Sequence, residues 1–258
     1  MTNEQNFFNF AAHVGLTKHL GGLKATAELI DLCHIEAHKY VLDVGCGAGA
    51  TPCFLAERYG CIVVGVDIHP GMVEKSIERA RRLRLADRVE FRVADAQSLP
   101  FEDGLFDAVI SESVTAFPED KQKSVDEYAR LTKPGGYVGL NESTWLKYPP
   151  PVEMIAWATQ NVGAQVRPLT SDGWAGLLES AGLQDIVVRI YEIDLQNEAK
   201  GILGRYGWQE MLRVMGRTLS LYARDPNYRR FVKGVSQGGI TPKNLDEYFG
   251  YGVYVGRK

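Results

Sequence analysis

The sequence predicts an α/β fold: a doubly wound, mostly parallel, seven-stranded sheet whose final strand is antiparallel, with a helical lid insertion. Three observations carry this expectation. Short apolar runs alternate with amphipathic helical patterns from about residue 40 to 145, and a glycine-rich loop, Gly45-Cys46-Gly47-Ala48-Gly49, joins the first run to the first of those helices. The last apolar run, Tyr248–Gly256, has no helix after it. Strands separated by helices at this pitch require right-handed crossovers, which cover a parallel sheet on both faces.

Each element has its own local reason. Tyr40–Gly45 is a short apolar run bounded by glycine, and Ala50–Tyr59 continues it as a helix. Cys61–Asp67 is rich in β-branched residues, as a buried strand should be. Pro70 opens a helix on which Val73, Ile77, Ala80 and Arg84 keep helical spacing. Arg88–Ala94 alternates, with Val89, Phe91 and Val93 inward, and Phe106–Ser111 is a fourth strand. A polar helix from about Glu119 to Thr132 ends at Lys133-Pro134-Gly135-Gly136, a stop-and-turn signal, before a fifth strand at Gly136–Ser143. Beyond Trp145 the rhythm breaks. Helices are expected at Val152–Val162 and Ser171–Ala181, a strand at Gln184–Asp194, and a mainly helical, aromatic stretch over 197–245.

A chain of 258 residues can bury a large core as one domain. The expected division is an N-terminal helical lid (1–37), a core (38–145), substrate-lid insertions (146–183 and 197–245) and C-terminal strands (184–196 and 246–258). A net charge of −3 gives no basic excess to neutralise phosphates, so nucleic acid is not expected as a partner. The apolar runs are strand-sized, so no membrane span is expected. The N-terminus lacks the basic and apolar regions of a signal peptide. Cys33, Cys46, Cys53 and Cys61 crowd into one quarter of the chain, which fits reduced thiols in a cytoplasmic protein better than a disulfide framework. His34 and His38 fall four apart on one expected helix face beside Cys33 and Glu36, but without the spacing of a recognised metal site, and no metal is expected. Arg79 and Arg82, with Glu74 and Glu78, read as a solvated helix face.

The glycine loop sits between a strand and a helix, where glycines let the backbone approach a ligand and the helix N-terminus favours negative charge. Gly45, Gly47 and Ala50 also satisfy a dinucleotide fingerprint, and Asp67 closes the second strand, as ribose recognition demands. Taken alone, the loop therefore predicts an adenosine cofactor and leaves an NAD(P)-dependent oxidoreductase open. Asp43, inside the first strand, is costly without a partner, and the amino group of a bound amino acid would supply one. Asp95 closes the third strand, where it could accept a hydrogen bond from an adenine amino group while Ala96 lies along the ring.

In order and spacing, VLDVGCGAG, VVGVDIHPGMV, FRVADAQSLPFEDGLFDAVIS and LTKPGGYVGL resemble the successive motifs of class I S-adenosylmethionine-dependent methyltransferases, over about residues 38–145. The likeness is greatest to the branch acting on small molecules such as quinone precursors, sterols or amines. It implies a Rossmann-like domain with S-adenosylmethionine as cofactor and S-adenosylhomocysteine as product. It also implies that Gly45, Gly47 and Gly49 meet the methionine portion and Asp67 both ribose hydroxyls. Ile68 and Met72 would flank adenine, and Asp95 with Ala96 would read its amino edge. Cys46 would contact the cofactor as a small filler in the loop, not as a nucleophile.

A sulfonium donor is already activated, so the protein needs chiefly to align an acceptor and exclude water. Glu142 and Glu112, after the fifth and fourth strands, fall at the crevice end of the sheet. Glu142 is the candidate base or orienting group, and Glu112 a candidate cofactor contact through its backbone. His13 or His19, in a segment that could fold over the cofactor, is a second candidate base. The aromatic residues of the insertions, among them Trp145, Tyr148, Trp157, Trp174, Tyr206, Trp208, Tyr222, Tyr228 and Phe231, could wall an acceptor pocket, build the lid's own core, or carry a homodimer interface. The alternative to an enzyme is a cofactor-binding module whose helical region serves a partner protein.

Overall fold

The computed structural model describes residues 3–15, 17, 19–161, 166–193, 195–236 and 242–258. Its elements run α1 (Asn3–Val14), α2 (Gly22–Leu32), β1 (Tyr40–Val44), α3 (Ala50–Tyr59), β2 (Ile62–Asp67), α4 (Pro70–Leu83), β3 (Val89–Val93), β4 (Phe106–Glu112), α5 (Lys121–Leu131) and β5 (Thr132–Trp145). They continue α6 (Val152–Asn161), β6 (Leu169–Thr170), α7 (Ser171–Ser180), β7 (Gln184–Glu192), α8 (Leu195–Arg224), α9 (Pro226–Ser236), α10 (Leu245–Tyr248) and β8 (Phe249–Arg257).

Seven strands lie in the order β3-β2-β1-β4-β5-β8-β7, and the two-residue β6 adds an eighth by pairing with the end of β5. Strands β1 to β5 are mutually parallel, and β8 runs antiparallel between β5 and β7. The order reverses between β1 and β4, and a doubly wound sheet takes its ligands beyond the carboxyl ends of the strands at such a switch point. One apolar core, with Leu29, Leu55, Val63 and Val253, fills one face of the sheet. A second, with Leu42, Val109, Leu140, Trp174 and Tyr254, fills the other.

Several expectations need correction. Val93 is 51% exposed, because β3 is an edge strand and only Val89 and Phe91 of the expected set reach the core. Lys133–Gly136 is not a free turn. Helix α5 stops at Leu131, but Thr132 already pairs with Phe106 and Tyr137 with Ala108, so the intervening residues form an irregularity within β5. His34 and His38 share no helix face. Helix α2 ends at Leu32, both histidines have positive φ (48° and 68°), and the Ile35 N–H bonds back to the Ile30 carbonyl to close the turn. Asp194 and Val162, at the ends of two expected elements, lie outside the described residues, as do the side chains of Tyr206 and Phe231.

The arginines of α4 are not a solvated face either. Arg79 is buried and its Nε donates to the Ala48 carbonyl at 2.8 Å. Arg82 meets the buried carboxylate of Glu210 on α8 at 2.7 Å, which Arg213 and Arg217 also approach at 3.1 and 3.5 Å. Arg217 in turn donates to the Val14 carbonyl at the end of α1. Glu210 thus clasps α8 and α1 to the core. Removing one partner of a buried ion pair costs about 3–5 kcal/mol, but the arginines here are partly exposed and can regain water. Glu210→Ala is therefore expected to cost about 2 kcal/mol, read as a lower urea midpoint, with Arg82→Ala costing less because two arginines remain.

Candidate active site

The glycine loop is held in place from below and from the side. Val66 O accepts the Gly45 and Cys46 N–H groups at 2.8 and 2.9 Å. From α4, Ser76 Oγ donates to the Gly47 carbonyl at 2.7 Å, beside the Arg79 bond to Ala48. Gly45 and Gly47 adopt φ of 75° and 53°, and both are closely covered. A Cβ at Gly45 would stand 2.2 Å from Val114 Cγ2, and one at Gly47 would stand 2.6 Å from Thr17 Oγ1. Only glycine satisfies both the dihedral and the clearance. Gly49, also at positive φ, is the N-cap of α3.

Asp67 ends β2 beside this loop. Its Oδ2 accepts the Gly47 N–H at 3.0 Å and its Oδ1 the His69 N–H at 2.8 Å. Burial raises its pKa, outweighing the opposite pull of those two N–H donors. The next residue, Ile68, is 68% exposed, an apolar side chain with no cover among the described residues, whereas Met72 in α4 is buried. Asp95 is half-buried in a tight turn, where Oδ1 accepts from the Gln97 backbone at 2.9 Å; Ala96 beside it is buried. Asp43 is buried in β1 between Gly65 and Ile110. The Cys46 thiol is buried, and burial together with the Asp43 and Asp67 carboxylates pushes its pKa well up, so it is no nucleophile.

These residues fit an adenosine-bearing group. A loop whose glycines admit no side chain lies against a carboxylate with one edge committed to that loop, followed by a bare apolar rim residue. That combination would offer such a group a backbone contact, a ribose partner and a ring wall within a few residues.

The two glutamates behave differently. Glu112, at the end of β4, is the hub of a buried network that sequence reasoning missed. Its Oε1 accepts from Thr51 Oγ1 and its Oε2 from Thr26 Oγ1, both at 2.8 Å, and His19 Nδ1 lies 3.3 Å away. Asn141 Nδ2 donates to the Leu20 carbonyl at 2.8 Å and lies 3.2 Å from His19 Nδ1. The network pins the N-terminal segment onto the ends of β4 and β5. Thr51, in the first turn after the glycine loop, was the one sequence signal available; Thr26 and His19 join from far away in the chain.

Glu142, on β5, is completely buried, and its Oε1 accepts the Val114 and Thr115 N–H groups at 2.9 and 2.6 Å. Its Oε2 has no hydrogen-bond partner among the described residues. Burial raises its pKa to about 7, against the pull of those N–H donors. Glu142 therefore anchors the loop that carries Val114 over Gly45. His13 is exposed near the end of α1 and makes no hydrogen bond or ion pair among the described residues.

Residues 42–140 match the family model described as a methyltransferase domain. An uncharacterized protein of Haemophilus influenzae is 31% identical over 234 residues, which cover 90% of this chain and 92% of that protein. A phosphoethanolamine N-methyltransferase of Triticum aestivum is 32% identical over 167 residues, 65% of this chain; the chain spans about a third (32%) of that relative's length. Among solved structures, phosphoethanolamine N-methyltransferase 2 of Haemonchus contortus in complex with S-adenosyl-L-methionine superposes with a TM-score of 0.70 at 21% identity, covering 99% of this chain and 57% of that one, a likeness of fold. With four ordered motifs, the reversal of strand order between β1 and β4 and these matches in agreement, the chain belongs to the class I S-adenosylmethionine-dependent methyltransferases.

Proposed function

We propose that the crevice above β1 and β4 holds S-adenosylmethionine and a small-molecule nucleophile, and that catalysis here is by positioning. The cofactor supplies a sulfonium methyl group that needs no further activation. Gly45, Cys46, Gly47 and Gly49 give it a backbone surface, Asp43 faces its amino group, Asp67 takes the ribose hydroxyls, Ile68 and Met72 border the ring, and Asp95 with Ala96 meets its amino edge. Glu142 acts as a positioning residue through Val114, and Glu112 holds the N-terminal segment closed over the site. Neither carboxylate reaches the acceptor in this reading, because Glu112 and Glu142 are both buried and turned onto Thr26 and Thr51 and onto the Val114 and Thr115 N–H groups. The acceptor is a small molecule whose own nucleophile carries the reaction; similarity to a relative named for N-methylation of phosphoethanolamine favours an amine.

The observation that carries this reading is Asp67, tied to Gly47 on one side and followed by uncovered Ile68 on the other. A charge-assisted hydrogen bond contributes about 1.5–3 kcal/mol. Asp67→Ala is therefore expected to weaken S-adenosylhomocysteine binding about tenfold or more in titration calorimetry, and NAD to give no binding heat with the wild type. Unchanged affinity would remove the ribose assignment. Single-turnover transfer of a labelled methyl group to a metabolite extract, read by mass spectrometry, then identifies the acceptor.

A further inference from the structure

Helix α8 carries an apolar stripe that nothing among the described residues covers. Trp208, Leu212, Met215, Leu219 and Tyr222 are 41–66% exposed. At about 100° per residue they fall within roughly 80° of one another on the helix surface. The chain breaks helical geometry at Gly207, just before the stripe begins. On the opposite side, buried Val214 and the Glu210 clasp hold the helix to the body of the protein, so the stripe points outward.

We propose that this stripe is a homodimer interface, in which α8 pairs antiparallel with α8 of a second copy about a two-fold axis at Met215. The pattern is self-complementary under that operation to within one residue. Trp208 would stand across from Tyr222 and Met215 from its own counterpart, while Leu212 and Leu219, three residues before and four after the axis, would meet with an offset of one residue, about 1.5 Å along the helix, so that each copy contributes the same patch. The spacing of four, three, four and three residues is the seam spacing of paired helices. The residues flanking the seam are Gln209, Gly216 and Ala223 on one side and Met211 and Thr218 on the other. None is charged, so two copies meet without like-charge repulsion, and the small ones allow close approach. Arg213 and Arg224 lie roughly 140° or more from the stripe's centre.

The area is of the right order. Two aromatic and three aliphatic side chains at about half exposure present on the order of 500 Å², the upper end of what a monomer leaves bare. A stable interface takes about 800 Å² per partner, which the neutral flanking residues help to supply.

The test uses cysteine pairing in the full-length chain, whose four native cysteines are buried. Met215→Cys is expected to give a disulfide-linked dimer with diamide at micromolar protein. Trp208→Cys and Tyr222→Cys are each expected to stay unlinked alone and to cross-link when mixed. Sedimentation of the wild type should give twice the chain mass, and Met215→Lys should shift dissociation to at least tenfold higher concentration. Self-linking by Trp208→Cys alone would mean a parallel pairing and overturn the proposal. So would a wild-type monomer at tens of micromolar, whether or not it then floats with phosphatidylglycerol vesicles. None of these readouts depends on cofactor or acceptor.

Discussion

Replacing Glu142 with glutamine is expected to leave stability nearly unchanged near pH 4.5 and to raise it by up to about 3 kcal/mol near pH 8. Burial lifts the folded pKa of Glu142 to about 7 from an ordinary value of 4.5. The sign follows from linkage: between those two values the folded chain holds a proton that the unfolded chain has released, so stability is intact below about 4.5 and declines as pH rises towards 7. At 1.36 kcal/mol per unit, the total is about 3 kcal/mol. Glutamine retains an oxygen for the Val114 and Thr115 N–H groups, and at the position of Oε2 there is no partner among the described residues to lose. Urea unfolding of both proteins from pH 4.5 to 8.5 reads the difference. A variant that still tracks the wild-type slope would show that Glu142 ionises freely in the fold. Because the loop stays anchored, turnover should also survive; loss of kcat with intact cofactor affinity would restore Glu142 as the proton acceptor.

The parallel half of the sheet was legible because its signals are local. Each of the first four strands is an apolar run ending in glycine, an acid or a polar turn, and the observed bounds fall within about one residue of those expected. The glycine loop and Asp67 were legible for the same reason: backbone demands at a strand end restrict residue type where they act. What the sequence could not convey was who meets whom across the chain. Glu112 read as a crevice residue, yet Thr26 and His19, brought by the N-terminal segment, turn it into the centre of a buried network. Arg79 and Arg82 read as solvated because helical periodicity reports charge and not the carbonyl of Ala48 or the carboxylate of Glu210. Glu142 could be placed at the correct strand end, but whether its carboxyl faces a ligand or a loop depends on how residues 113–115 fold back. The closed position of Thr17 over Gly47 is likewise invisible in the sequence.

The largest loss of stability is expected from Trp174→Ala, about 4 kcal/mol, in the range for a large aromatic removed from a core. Trp174 is fully buried on α7, with its ring 6.2 Å from that of Tyr254 on β8, and its Nε1 donates to the Ser143 carbonyl at 3.0 Å. Truncation therefore opens a cavity and strips a hydrogen bond beside Glu142, where Tyr254 also bonds Thr144 at 2.7 Å. Trp174→Phe retains most of the volume and loses the donor, so it separates the two terms, with about 1–2 kcal/mol expected. The same cavity should admit water towards Glu142 and lower its pKa, which couples the two sites. In a double-mutant cycle, the pH-dependent gain from Glu142→Gln should shrink when Trp174 is alanine. Strict additivity at pH 8 would mean that the dry environment of Glu142 is made by other neighbours, and that α7 supports the crevice only as bulk.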